Sequence, residues 1–381
     1  MSSFGIAMTR GCFPYMSDGS GGDKGSMLAG AVEVLDTTNW GKNFEAPVGE
    51  DSMSSLGSSN GRFEQTQLYV MAGEDGTTVD IDSTSGPKHF SLNAGQSAMA
   101  RVNMGAKVTA NKKVQVDLLA GDIGSTYEMR WFSLLPTEKW AKSYLTPVGN
   151  TKADVIAYAY NPSNGPSNLS VKYSEYGASN KTMYVPREGI AQTYRLDTGA
   201  GTYFEAEHKF MVFTIIDTVN SGQIYDWGVP VAPYDDLTAQ VLIGWGDGCT
   251  NDVCAGHSNE QRSEIWISPK AAATCTVDFD NDGVKDDFQV RNADDTISLV
   301  SSVSLNKWEG LTLWDHNDLD MTGAMVFCDN SDGPVPFAAV WGQNPDQSRS
   351  GDVSLSSMFL ENQIVGQPPH PYTCCTPELC S

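Results

Sequence analysis

An acidic loop carries the clearest indication of chemistry in this chain. Residues 278–287 read Asp-Phe-Asp-Asn-Asp-Gly-Val-Lys-Asp-Asp, so aspartates alternate up to a glycine that permits a sharp turn. Hard cations such as Ca²⁺ take roughly six to eight oxygen ligands, which alternating carboxylates and a backbone carbonyl can supply. The loop therefore predicts a calcium site, with a plain acidic hairpin turn as the alternative. The predicted ligands are Asp278, Asp280 and Asp282 through their carboxylates, Val284 through its carbonyl, and Asp286 directly or through water, with Asp287 as a further candidate.

This loop is not an EF-hand, because its twelfth position is Gln289 and no helical pattern flanks it. It resembles the calcium loops of extracellular repeat modules, whose dissociation constants of roughly 10⁻⁴ to 10⁻³ M suit a structural ion. A similar but less regular acidic segment follows at residues 315–323. Its Asp315, Asn317, Asp318 and Asp320 could form a second cation site, help to complete the first, or make an ordinary polar turn.

The cysteines predict disulfides and thus an oxidising compartment, whereas a cytosolic chain would more often use them for metal or as free thiols. Cys249, Cys254 and His257 offer three soft zinc ligands, but no fourth is evident, so a small disulfide loop is favoured. The pairing stays open. The disulfide candidates are Cys12, Cys249, Cys254, Cys275, Cys328, Cys374, Cys375 and Cys380.

Two sequons, at Asn168 and Asn180, would accept glycans in a eukaryotic secretory pathway, although sequons this short also arise by chance. The first residues lack a basic segment followed by an apolar one. We therefore expect either that a signal peptide was removed or that Met1 is not the biological start.

Other functional classes find little support. There is no nucleophile elbow, zinc-protease helix motif or P-loop, so we predict that the chain is not an enzyme, although paired carboxylates of a hydrolase are not visible in sequence. A net charge of −23 would repel nucleic acid and anionic lipid. No apolar run approaches the roughly 20 residues of a membrane span.

The elements that must position the acidic loop are strands. The chain has 37 glycines and 18 prolines, and its apolar runs are short and often alternate with polar residues. Asp75-Gly76 predicts a type I′ hairpin turn between flanking strands, with Val79 and Ile81 facing inward. Strands are predicted at 88–92 and 311–314, and two separate strands at 107–110 and 113–120. The spacing predicts an all-β fold of antiparallel sandwich modules, Ig-like in strand density.

A repeated phrase divides the chain. Trp40-Gly-Lys-Asn-Phe-Glu-Ala-Pro-Val-Gly and Trp140-Ala-Lys-Ser-Tyr-Leu-Thr-Pro-Val-Gly share their key residues at identical spacing, and Trp227-Gly-Val begins a looser third copy. The equivalent tryptophans are predicted to pack in the core or between modules. The predicted organisation is a leader and first strand (1–38), three β-sandwich modules (39–135, 136–222 and 223–360, the last with the calcium loop) and a Cys-rich tail (361–381).

Several segments resemble the IgGFc-binding-protein N-terminal domain family, which occurs in secreted mucus proteins and large repetitive microbial surface proteins. They are residues 69–79, 92–96, 114–116 and 134–140. The later segments 225–228, 237–238, 277–283, 322–323 and 339–345 are similar to the remainder of such surface-repeat units. The resemblance implies a non-enzymatic extracellular module used in adhesion or matrix building. No antibody-binding residues are matched, so the family name implies no activity here.

Together these patterns predict an extracellular or cell-surface structural and adhesive protein made of calcium-stiffened β-modules. Its expected partners are copies of itself or like modules, as in a matrix or filament, and possibly surface glycans. The alternative is a carbohydrate-binding surface module, since the chain has 9 tryptophans and 14 tyrosines that could stack on sugars.

Overall fold

The protein is all-β, as predicted. The computed structural model describes residues 9–12, 29–33, 35–56, 62–121, 130–149, 154–196, 199–217, 227–244, 246, 248, 262–343 and 355–357. Within them lie one short α-helix, α1 (Ser52–Ser55), and 3₁₀ turns at Thr137–Lys139 and Tyr234–Asp236. No helix in these ranges is long and apolar enough to cross a membrane. Near the N terminus, β1 (Thr9–Cys12) pairs antiparallel with β2 (Ala29–Glu33).

The first large sheet is organised around one long strand. The first half of its central strand, β8, pairs with β3 and β5, whereas the second half pairs with β4 and β9. The outer strands β6 and β7 pair with β5 and β4. The strands are β3 (Gly41–Glu45), β4 (Gln65–Ala72), β5 (Thr77–Ile81), β6 (Lys88–Leu92), β7 (Ser97–Arg101), β8 (Lys107–Gly121) and β9 (Arg130–Leu134).

The second large sheet repeats this plan strand for strand. β10 and β12 pair with the first half of its long strand, β15, while β11 and β16 pair with the second half. The strand orders β6-β5-β8-β4-β7 and β13-β12-β15-β11-β14 are therefore the same. The strands are β10 (Ala141–Thr146), β11 (Asp154–Asn161), β12 (Asn168–Glu175), β13 (Lys181–Pro186), β14 (Gly189–Gln192), β15 (Thr202–Asp217) and β16 (Trp227–Pro230).

The remaining strands form two further antiparallel sheets with a different plan. One has the order β17-β24-β19-β22, with β25 beside β24, and the other has the order β21-β20-β23-β18-β26-β27. The strands are β17 (Gln240–Leu242), β18 (Ser263–Pro269), β19 (Ala273–Asp278), β20 (Phe288–Arg291), β21 (Ile297–Val300), β22 (Val303–Leu305), β23 (Leu311–Trp314), β24 (Met325–Asn330), β25 (Gly333–Pro334), β26 (Phe337–Gln343) and β27 (Leu355–Ser357).

Three hydrophobic cores are stacked against shared sheets. Alternate residues of a strand point to opposite faces, and on β15 Met211, Phe213 and Ile215 belong to the first core while Phe210 and Val212 belong to the second. On β18 and its neighbour β26, Trp266 and Val340 reach the second core, whereas Ile265 and Trp341 reach the third. Each of these layers therefore closes two cores at once.

Two local predictions were wrong. β4 and β5, which flank Asp75-Gly76, do not pair with each other; each pairs with a different half of β8. Only Gly76 of the two turn residues has a positive φ, of 66°, whereas the predicted turn type needs two. The strands predicted at 107–110 and 113–120 are one continuous strand. The inward placement of Val79 and Ile81 is confirmed.

Candidate cation site and sheet junctions

The acidic loop begins where β19 ends, at Asp278. Two residues with positive φ, Asn281 at 57° and Gly283 at 90°, turn the chain back. The Asp286 backbone N–H then donates to the Val277 carbonyl at 2.9 Å, and its carboxylate accepts the Phe279 N–H at 2.7 Å. The loop is thus closed by its own backbone and by one of its aspartates.

Three of the predicted ligands lie together. One carboxylate oxygen from each of Asp278, Asp280 and Asp286 lies within 4.8 Å of the others. Asp278 is buried, and its two oxygens accept the N–H groups of Asp282 at 3.2 Å and Gly283 at 3.0 Å. Burial beside like charges is costly unless a cation compensates. The chemistry of this donor set therefore fits a hard cation.

The other predicted ligands take different positions. An Asp282 carboxylate oxygen accepts the Val284 N–H at 2.7 Å, and Asp282 is not part of the three-carboxylate group. The Val284 side chain is exposed. The Asp287 carbonyl lies 3.0 Å from His316 Nδ1, which joins this loop to the second acidic loop.

A lysine partly balances the charge of the cluster. The Lys285 ammonium lies 3.3 Å from the centre of the Phe327 ring. Burial lowers the pKa of Lys285, whereas Asp278, Asp329 and Asp286 act to raise it. One ammonium group does not neutralise three carboxylates, so the cluster keeps a net negative charge that a bound cation would balance.

The carboxylates of the second acidic loop accept hydrogen bonds from the backbone of the same loop. The Asn317 N–H donates to Asp315 at 2.7 Å, the Asp320 N–H to Asp318 at 3.0 Å, and the Thr322 N–H to Asp320 at 2.7 Å. Burial raises the pKa of Asp315 to about 6. Among the described residues, the carboxylates of Asp315, Asp318 and Asp320 do not converge with other acidic, histidine or cysteine side chains as the three of the first acidic loop do, and the second site with Asn317 stays a prediction.

One disulfide is present among the described residues. Cys275 on β19 and Cys328 on β24 are directly opposite each other and bonded, with their Cα atoms 4.1 Å apart. Both are buried in the third core. The side chains of the other candidates, Cys12, Cys249, Cys254, Cys374, Cys375 and Cys380, lie outside the described residues. The sequon residues Asn168 and Asn180 are exposed, and their glycosylation stays a prediction.

The repeated tryptophans hold equivalent places. Trp140 is buried in the first core and meets Tyr160 edge-on, with ring centres 5.9 Å apart. Trp40 is half-buried against the same core and covers Gly73, where a Cβ would lie 2.8 Å from its ring. These positions agree with packing in a core and between sheets. The side chain of Trp227 lies outside the described residues.

A buried polar contact between the first two sheets was not anticipated. Glu45 ends β3, is 5% exposed, and accepts hydrogen bonds from the Tyr160 hydroxyl and from Ser163, whose N–H is 2.8 Å and hydroxyl 3.0 Å away. Burial, followed by the nearby Glu45 charge, holds the pKa of Tyr160 well above its usual range. The only signal in the sequence was that Glu45 interrupts an otherwise apolar end of the repeated phrase.

An aromatic stack joins the second sheet to the third region. Tyr203 on β15 stacks on Trp308, with ring centres 4.5 Å apart and planes 9° apart, and meets Tyr234 edge-on at 4.9 Å. The Gly201 N–H donates to the Trp308 carbonyl at 2.9 Å, and the Gly310 N–H donates to Gly199 at 3.0 Å. This junction therefore combines backbone pairing with aromatic packing.

A groove with a mixed polar and apolar lining lies where the first two sheets meet. Its volume is about 350 Å³, and the Lys209 ammonium donates to the Glu138 carbonyl at 2.6 Å beside it. Its lining residues are Asn43, Thr137, Glu138, Trp140, Pro162, Asn164 and Lys209.

Fold and sites define a large all-β protein whose described polar clusters lie in loops and at sheet junctions. Residues 29–215 match the family model described as IgGFc binding protein, and this segment belongs to that family, which confirms the resemblance of the segments within that range. The match covers the first large sheet and the second as far as residue 215, and it ends before the acidic loops, so it carries no information about calcium. No match was found among curated proteins.

Proposed function

We propose that this chain is an extracellular structural and adhesive protein that associates with copies of itself or with like modules, as a matrix or filament subunit. The family match supports an extracellular, β-rich protein of a binding or structural class. The observation that carries the proposal is the stack of three cores closed by shared sheets. Because neighbouring units share their cores, the chain acts as one stiff body, as a load-bearing subunit requires.

The stack is built of tandem Ig-like sandwich modules in this proposal. The equivalent strand orders of the first two sheets support modules at 39–135 and 136–222. The two sheets of the third region, one of which is cross-linked by the Cys275–Cys328 disulfide, support a third module at 223–360. The location of the protein at a cell surface and the attachment of glycans to Asn168 and Asn180 are part of the same proposal.

Calcium stiffens the third module. Asp278, Asp280 and Asp286 would hold the ion through their carboxylates, and Asp282, Asp287 and the Val284 carbonyl would supply further oxygens. At the affinity typical of extracellular modules, 10 mM Ca²⁺ would stabilise the folded state by about 1 to 3 kcal/mol. The ion then serves structure, and the chain performs no catalysis.

The proposal is tested on the purified full chain by electron microscopy and thermal unfolding, each in 10 mM CaCl₂ and in EDTA. We expect ordered assemblies with calcium and a melting temperature that falls by a few degrees on chelation. Monodisperse single particles at all protein concentrations would remove the self-association part. An unchanged melting curve in EDTA would remove the calcium part.

A carbohydrate-binding surface module is the second candidate. The groove between the first two sheets favours it, since exposed Asn43 and Asn164 line it together with Trp140, and small-molecule sites combine apolar and aromatic walls with a few placed polar groups. A broad glycan array would be followed by titration of any hit. Binding lost in Asn164→Ala but kept in Asn93→Ala, another exposed asparagine, would establish the groove; an array without hits would argue against this function.

A further inference from the structure

The strand β21 forms one end of the six-stranded sheet in the third region. It pairs with β20 through Ile297 to Val300, and the sheet order places no described strand on its other side. An unpaired strand edge presents a row of N–H and C=O groups that can pair with another chain. Proteins usually protect such edges with charges, proline or bulges.

The backbone groups that point outward can be assigned from the register. The Asn292 N–H donates to the Thr296 carbonyl at 2.8 Å, and Val290 lies opposite Ser298. Hydrogen-bonded and non-hydrogen-bonded pairs alternate along an antiparallel ladder. The peptide groups of Thr296 and Ser298 therefore face β20, and those of Ile297 and Leu299 face outward.

The same two residues expose apolar side chains. Ile297 is 52% and Leu299 is 54% exposed, whereas Val300 packs against the third core. In a chain of net charge −23, residues 296–306 contain no charged residue. This edge therefore has outward hydrogen-bonding groups and an apolar face, and it has none of the charges that normally protect an edge strand.

We propose that β21 is a self-association edge, which pairs antiparallel with β21 of a second copy of this chain about a two-fold axis at Ser298. This proposal rests on the self-association in the proposed function and assigns its surface. In this register the outward peptide groups of Ile297 meet those of Leu299 of the second copy, and their side chains lie side by side on one face. The two six-stranded sheets become one continuous sheet.

Charge distinguishes a second copy from other occupants. The acidic turn at Asp294 and Asp295 precedes β21, and the pairing places it opposite Ser302 and Ser301 of the second copy. Each acidic turn then meets uncharged residues, so the two copies avoid like-charge contact despite their total charge. A shift of the register by two residues would bring these carboxylates opposite Leu299 and Val300, at the apolar contact.

The test is sedimentation velocity of the full chain over a range of concentrations, with Leu299→Lys and Leu299→Pro. The lysine places like charges at the two-fold contact, and the proline removes one outward N–H while leaving the N–H groups that face β20. Met99→Lys is the matched control, because Met99 is 49% exposed on β7, an end strand of the first sheet. Melting curves establish that each variant is folded.

We expect both Leu299 variants to raise the dimer dissociation constant at least tenfold, and Met99→Lys to leave it unchanged. Assembly by folded Leu299 variants at the wild-type constant would overturn the β21 edge while leaving self-association in place. A wild-type chain that stays monomeric throughout would overturn both. Association only with an added strand-forming peptide, and not between copies, would also reject a second copy as the occupant.

Discussion

Trp40 and Trp140 make the same hydrogen bond. The indole N–H of Trp40 donates to the Leu35 carbonyl at 2.9 Å, and that of Trp140 donates to the Leu135 carbonyl at 3.0 Å. In both units the strand that follows has an irregular register at its second residue, Lys42 or Lys142. The repeated phrase is therefore a structural device that fixes how the chain enters the first strand of a unit.

Trp140→Phe should cost more stability than Trp40→Phe, because Trp140 is 3% exposed while Trp40 is half-buried. Each change leaves a leucine carbonyl without its indole donor, and only the first opens a cavity inside a core. We expect a loss of about 1 to 3 kcal/mol for Trp140→Phe and about half as much for Trp40→Phe. Urea unfolding measures both, and equal losses would contradict the difference in burial.

Tyr160→Phe should weaken the contact between the first two sheets. Without the hydroxyl, buried Glu45 keeps only its bonds from Ser163, so its desolvation is less well compensated. The expected loss is about 1 to 3 kcal/mol of unfolding free energy. Tyr184→Phe is the control, since Tyr184 is 65% exposed; if both variants unfold like the wild type, the buried contact contributes nothing.

Asp280→Asn should remove the calcium-dependent part of stability. The side chain is exposed, so the change keeps the fold while it takes one charge from the three-carboxylate group. Melting temperatures with 10 mM CaCl₂ and with EDTA should differ for the wild type and for Asp332→Asn, an exposed aspartate in another turn. They should coincide for Asp280→Asn, and a calcium response that persists there would place the ion elsewhere.

Asp315 should make the metal-free protein less stable as the pH rises from about 4 to about 6. Its pKa rises from 3.8 to about 6 on folding, so within this window the folded state binds more protons than the unfolded state. Stability then falls through the window and stays lower above it. Unfolding in EDTA at pH 4, 5, 6 and 7 should show a shallower decline for Asp315→Asn than for the wild type or Asp332→Asn; parallel curves would refute the assignment.

Removing the disulfide should destabilise the third region. The bond closes a loop with a sequence separation of 53 residues, and cross-links of that kind contribute about 2 to 4 kcal/mol, chiefly by restricting the unfolded chain. Cys275→Ala with Cys328→Ala should show this loss in urea. Reduced wild-type protein should lose at least as much stability as the double variant, and a wild type that is insensitive to complete reduction would contradict the prediction.

Strand positions followed from sequence because local alternation records which face is buried. Residues 88–92 and 311–314 were predicted with the bounds that the structure has. The break predicted at Asn111 was wrong, since the polar residues there mark where β8 passes from a half-exposed to a fully buried segment. Strand partners were not predictable, because β4 and β5 each pair with a distant strand.

The acidic loop was predictable in part. The spacing in the sequence was enough to predict that Asp278, Asp280 and Asp286 lie together, as they do in the structure. It did not show that Asp282 would accept a backbone N–H, because that choice depends on the positive φ at Asn281 and Gly283. Contacts between units, such as Glu45 with Tyr160, join residues that are 115 positions apart and left no periodic signal.

Because the shared sheets carry a hydrophobic core on each face, they limit how short a stable fragment of this chain can be. A fragment ending at residue 135 would leave Phe63 and Phe132 without Phe213, whose ring centre lies 6.2 and 5.5 Å from theirs. A fragment starting at residue 223 would uncover Trp266 and Val340. We therefore expect the smallest piece that folds by itself to be longer than the repeat visible in the sequence, and heating should melt neighbouring repeats together.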